Sequence, residues 1–144
     1  MNQRGVTLVE LIIVMIIIAI GATLATPNIG GWMTNYRLRN AAREVASTLR
    51  LAQIKAVSCN TTYQVVFDTV NESYIIQYQD TTGAWVTEGA TQILPTGVKF
   101  NTDFGNIASF SPNSTVASVG EINFSNNKGT VKKIKLQSGR IRIE

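Results

Sequence analysis

The sequence predicts an α+β fold: a long N-terminal helix, half membrane-like and half amphipathic, packed on a small antiparallel β-sheet head. Three observations predict it. An apolar run extends from Leu11 to Ile20 without a polar break. After it, Leu38, Ala42, Val45, Leu49, Ala52 and Ala56 recur at steps of four and three, which makes one apolar stripe on a second helical stretch. Beyond Asn60 the chain turns into short alternating segments parted by Gly, Pro, Asn and Asp.

Residues 6–25 number 20, and at ~1.5 Å per residue such a helix matches a hydrocarbon core of ~30 Å. Glu10 lies inside this stretch. A carboxylate in hydrocarbon costs about 2.5–3.5 kcal/mol even on lenient scales, so Glu10 calls for a partner. A secretory signal peptide fits poorly, because the charged start is short and the small-residue site precedes the apolar segment. A plain anchor leaves Glu10 unexplained. Arg4 precedes the segment and Arg37, Arg39 and Arg43 follow it, so charge alone assigns no cytoplasmic side.

Pro27 removes a backbone hydrogen bond and crowds the preceding turn. Gly30 and Gly31 weaken a helix by ~1 kcal/mol each against Ala. Pro27, Gly30 and Gly31 together predict a hinge. In the helix that follows, small residues dominate the stripe and allow a sheet to approach closely, while Arg39, Arg43, Ser47, Arg50 and Gln53 take other faces. Strands are expected at 63–67 and 73–78 around a turn, then at 85–87, 92–94 and 98–101. Residues 106–120 read as a long loop with one strand near Phe110. Strands at 121–125, 131–136 and 140–143 close the chain, with no internal repeat and no second domain.

The last hairpin is the most informative part of the head. A two-residue turn at Ser138-Gly139 pairs Gln137 with Arg140, Leu136 with Ile141, Lys135 with Arg142 and Ile134 with Ile143. The four aliphatic residues then share one face, and Lys133, Lys135, Arg140 and Arg142 share the other, with only Glu144 opposing. Like charges across a sheet are mildly destabilising, so this strip predicts an anionic partner or a solvated edge strand.

The 144 residues carry a formal charge of +4, no His and one Cys. There is no carboxylate pair at motif spacing in the head, no Gly-rich phosphate loop and no metal-ligand cluster, so neither an enzyme nor a cofactor is expected. Asp80, Glu88 and Asp103 would bind calcium only if the fold gathered them. Cys59 can form no internal disulfide and reads as a small buried residue at a helix end.

The start of the chain, a short polar leader with Arg4 and Gly5 followed by Val6-Thr7-Leu8-Val9-Glu10 and the apolar run, resembles a type IV prepilin. In that family a dedicated peptidase cuts after the Gly and methylates the new amine. The resemblance implies a cut between Gly5 and Val6, a methyl group on Val6, and a pairing of Glu10 with the free amine of a neighbouring subunit. Val6 stands where the family usually has Phe. Residues 49–60 resemble the end of the long helix in the GspH/FimT group of pseudopilins, and Gly139-Arg140-Ile141-Arg142 matches a Gly-Arg-x-Arg pattern near the end of that group. Many type IV pilins close a C-terminal loop with a disulfide; the single Cys59 argues for the pseudopilin-like relatives.

The implied division is a leader at 1–5, a transmembrane and filament-core helix at 6–25, a hinge and amphipathic helix at 26–59, and a β-rich periplasmic head at 60–144. The implied function is that of a minor pilin or pseudopilin of the inner membrane, single-pass with its head in the periplasm. After prepilin peptidase processing it would help initiate or cap a type IV pilus or a type II secretion pseudopilus, with other pilins as partners. The alternative implied by the resemblance is a FimT-like minor pilin that binds DNA during uptake, with Lys133, Lys135, Arg140 and Arg142 on phosphates.

Overall fold

The computed structural model describes residues 6–25, 29–113, 115–137 and 140–144. The leader with Gly5, Pro27 of the expected hinge and the turn residues Ser138 and Gly139 lie outside the described residues. The chain forms two compact units, Met1–Trp32 and Met33–Glu144.

The first unit holds helix α1, Leu8–Ala25. Every described side chain from Val6 to Thr23 is exposed, so the aliphatic side chains that make up most of α1 stand uncovered on all its faces. Such a helix finds its burial in a membrane or among other helices. Val6 and Thr7 precede it without helical structure, so the expected span starts two residues late. Among the described residues no helix is long and apolar enough to cross a membrane.

Helix α2, Ile29–Ser58, has 30 residues. Gly30 and Gly31 lie within its first turn, so these two residues of the expected hinge are helical. The predicted stripe is the buried face: Leu38 and Ala42 are 1% exposed, and Val45, Leu49, Ala52 and Ala56 are fully covered together with Ala41 and Ala46. The helix ends in a left-handed residue, Asn60 at φ 51°. There Thr61 N–H donates to the Ala56 carbonyl at 3.2 Å and Asn60 N–H to the Val57 carbonyl at 3.3 Å, the Schellman pattern that satisfies the last carbonyls.

This ending corrects the expectation for Cys59, which is exposed. In a continuing helix, position 59 would extend the stripe three residues past Ala56. The chain leaves the helix after Ser58, and the turn carries the thiol out of the core.

Eight strands follow among the described residues: β1 Tyr63–Asp68, β2 Ser73–Gln79, β3 Trp85–Ile93, β4 Val98–Thr102, β5 Ile107–Phe110, β6 Gly120–Asn126, β7 Val131–Gln137 and β8 Arg140–Ile143. All pairings between them are antiparallel. They divide between two four-stranded sheets, ordered β3-β2-β1-β5 and β4-β6-β7-β8. The segments expected separately at 85–87 and 92–94 are one strand, because an irregularity opposite Ile75 absorbs Gly89, at φ 82°, without ending the ladder. The expected long loop contains β5 and an isolated bridge from Phe110 to Val116.

One core serves both sheets and α2. Across it Phe67 of β1 meets Phe100 of β4 edge-on at 5.5 Å, and Phe100 lies 6.2 Å from Phe124 of β6. A polar tie reinforces the junction: the Glu72 carboxylate accepts the Phe100 N–H at 3.1 Å.

Candidate functional site

At the start of α1 the Thr7 hydroxyl accepts the Glu10 N–H at 3.2 Å, and the Thr7 carbonyl accepts the Leu11 N–H at 3.2 Å. Thr7 is therefore the N-cap, with Glu10 at the third helical position, the Thr-x-x-Glu spacing of a capping box. The sequence signal for this cap is Thr7 three residues before Glu10, at the head of an apolar run. Glu10 itself is exposed, and its carboxylate sits in the first turn, where helix partial charge favours an anion.

In the terminal hairpin the expected register holds in full: Gln137 faces Arg140, Leu136 faces Ile141, Lys135 faces Arg142 and Ile134 faces Ile143. Ile134 and Leu136 are buried, whereas Lys133, Arg140 and Arg142 are exposed and Lys135 is half-buried. The electrostatics differ from the expectation that Glu144 alone opposes the strip. The β6–β7 pairing sets Glu121 directly opposite Lys135. Glu121 Oε2 lies 3.1 Å from Lys133 Nζ and its Oε1 lies 3.5 Å from Lys135 Nζ, while Glu144 Oε2 lies 2.9 Å from Lys135 Nζ.

The hydrogen bond from Lys133, with the charges of Lys133 and Lys135, holds the Glu121 carboxyl below its usual range. The bond and charge of Glu144, ahead of those of Glu121, raise the Lys135 ammonium. Both lysines are thus engaged within the sheet. Among the described residues Arg140 and Arg142 make no ion pair.

The other face of β7 carries Lys132, which lines a cleft of about 260 Å³ with Arg39, Ala42 and Arg43 of α2 and Ile143 of β8. One helical stretch further, Arg50 Nη2 donates to the Ile141 carbonyl at 3.4 Å, at the open edge of β8. In the sequence these arginines stand only on the outer faces of a helix.

On the opposite sheet Lys55 Nζ meets Glu88 Oε1 at 2.5 Å, and burial followed by the nearby Glu44 charge raises the Tyr74 hydroxyl above its ordinary value. Among the described residues no group of three or more His, Cys, Asp or Glu could hold a metal ion, so Asp80, Glu88 and Asp103 are not gathered.

Residues 41–142 match the family model of the type II transport protein GspH, well over half of the chain. The chain belongs to the GspH family. Residues 1–26 match the prokaryotic N-terminal methylation motif. A search of curated protein sequences gives no match.

Among solved structures, the GspH-family fold seen here is similar to the minor pseudopilin EpsH of the type 2 secretion system of Vibrio cholerae. The TM-score is 0.67 at 12% identity, over 75% of this chain and 96% of that one. It is also similar to the type IV minor pilin FimU of Pseudomonas aeruginosa, with a TM-score of 0.62 at 19% identity over 78% of this chain and 92% of that one. The matched family model is that of a type II transport protein, and the two solved structures that share the fold are described as a minor pseudopilin and a type IV minor pilin.

Proposed function

We propose that the chain is a minor pilin or pseudopilin, anchored in the inner membrane with its head in the periplasm, that helps initiate or cap a filament after a prepilin peptidase removes residues 1–5. The observation that carries this reading is α1, exposed on all sides and apolar, with one carboxylate, Glu10, in its capped first turn. At ~1.5 Å per residue, 18 residues give about 27 Å, and a bilayer thins by ~3 Å at a cost of fractions of a kcal/mol per Å. In a filament the same surface packs against neighbouring helices, and Glu10 pairs with the new amine of an adjoining Val6. Such a pair sets register, because losing one partner strands the other charge.

Mass spectrometry of the chain co-expressed with a prepilin peptidase is the test. The expected product lacks residues 1–5 and carries one methyl on Val6; an intact Met1, or cleavage after the apolar run, overturns the reading. Glu10→Ala should insert in the membrane as wild type does but enter filaments poorly, and equal recovery with partner pilins removes the register role.

A second reading, binding of DNA by the head during uptake, draws support from Arg140 and Arg142, whose guanidinium groups have no carboxylate partner among the described residues. Lys133 and Lys135 contribute less to it than their place on the strip implies, being held by Glu121 and Glu144.

A further inference from the structure

We infer that the polyanion-binding surface of this head is a band wrapped around the open edge of β8, centred on the cleft of Arg39, Arg43 and Lys132, and that its ligand is the phosphodiester backbone of duplex DNA. The inference rests on the second reading above and relocates its site from the lysines of the outer strip to the arginines of α2.

The fold brings Arg39 and Arg43 to Lys132, about ninety residues away in sequence, in one cleft walled by Ala42 and Ile143. None of the three forms an ion pair among the described residues. Gathering like charges is unfavourable on a helix face as on a sheet, and a bound anion removes that cost. Arg39 and Arg43 are one turn apart, ~6 Å along the axis, and Arg50 lies ~10 Å further on.

Arg50 hydrogen-bonds the Ile141 carbonyl, so the helix ridge reaches β8 between Arg140 and Arg142, which are themselves ~7 Å apart. The cations therefore continue past the cleft in two directions. That extent suits a chain of phosphates, spaced at one charge per ~1.7 Å of duplex axis, better than a single free phosphate. Guanidinium groups match phosphate oxygens in bidentate geometry. Among the described residues no aromatic side chain lines the cleft, so backbone contact without base stacking is the expected mode.

The test is an anisotropy titration of a labelled duplex oligonucleotide with the compact unit Met33–Glu144, which contains the whole buried core, across a series of salt concentrations. Wild type should bind without sequence preference. Arg39→Gln with Arg43→Gln should lower the log–log salt slope by ~2 and weaken binding at low salt at least ~10-fold. Arg140→Gln with Arg142→Gln should do the same, whereas Lys133→Gln with Lys135→Gln should stay within ~2-fold, because those charges are already paired. Circular dichroism and melting confirm that each variant is folded.

An unchanged slope for the α2 pair, with loss of binding in the hairpin pair, overturns the band and leaves the second reading in place. Absence of duplex binding by wild type overturns both. Binding to vesicles of phosphatidylglycerol and phosphatidylethanolamine, with none to the duplex, also overturns the inference and assigns the surface to lipid.

Discussion

Gly120 opens β6 with an ordinary backbone φ, so replacing it by Ala looks harmless or helpful: removing a Gly from a strand reduces unfolded-state freedom and stabilises by about 0.4–1 kcal/mol. The structure reverses that sign. A Cβ at position 120 would collide with Asp103 Oδ1, and it would lie 2.9 Å from Phe104 Cδ1 and 3.1 Å from Asp103 Cγ. Asp103 is not free to swing away, since its Oδ1 accepts the Glu121 N–H at 2.6 Å.

Moving it forfeits a charge-assisted hydrogen bond, about 1.5–3 kcal/mol, and leaving it in place costs about 1–3 kcal/mol of overpacking. Either route outweighs the entropic gain. Gly120→Ala should therefore destabilise the head by about 1–2 kcal/mol, a fall of roughly 1 M in the urea midpoint. In Asp103→Ala, where the hydrogen bond is already lost, the added cost of Gly120→Ala should shrink to the Phe104 contact alone. Chemical denaturation of Met33–Glu144 and its three variants measures all of this. A Gly120→Ala midpoint at or above wild type, or strict additivity of the pair, refutes the reasoning.

Glu121 sits below its ordinary value of 4.5 because of Lys133 and Lys135, so the folded state binds protons less readily than the unfolded one. Its stabilisation is complete above the unfolded value and is lost as pH falls through the folded one. Glu121→Gln should flatten the acid limb of a melting-temperature profile, and an unchanged limb counts against the pairing. Lys135 lies above its ordinary 10.5 through Glu144 and Glu121, so its contribution is complete below that value and disappears at higher pH; Lys135→Gln should abolish that alkaline loss, which melting above pH ~10 would reveal. Cys59 is exposed, so a maleimide should modify the native head about as fast as the urea-unfolded chain, and protection of a hundredfold or more would place the thiol back in the core.

Much of this architecture was legible because it is written in neighbouring residues. The stripe from Leu38 to Ala56 needed only the 3.6-residue period, and six of its six positions are buried. The β7–β8 register followed from a short turn with agreeing alternations of Ile and Leu against Lys and Arg, and every pairing is as expected. Local punctuation misled at Gly89, where a glycine that reads as a strand end is absorbed as an irregularity. It misled again at Cys59, where the stripe predicts burial but the turn at Asn60 ends the helix first. The cap made by Thr7 and Glu10 is equally local, resting on residues three apart.

The sequence by itself determined the apolar helix carrying Glu10, the face that α2 buries, and the terminal hairpin with its charged and aliphatic sides. Each rests on contacts at separations of two to four residues, or across a single tight turn, where chain geometry leaves one arrangement. Only the tertiary structure decided the division of the strands into two sheets, the arrival of Glu121 beside Lys133 and Lys135, and the meeting of Arg39 and Arg43 with Lys132. Those depend on how distant segments align, and alignment is settled by packing a shared core around Phe67, Phe100 and Phe124. The surface charges are carried to their places by that packing.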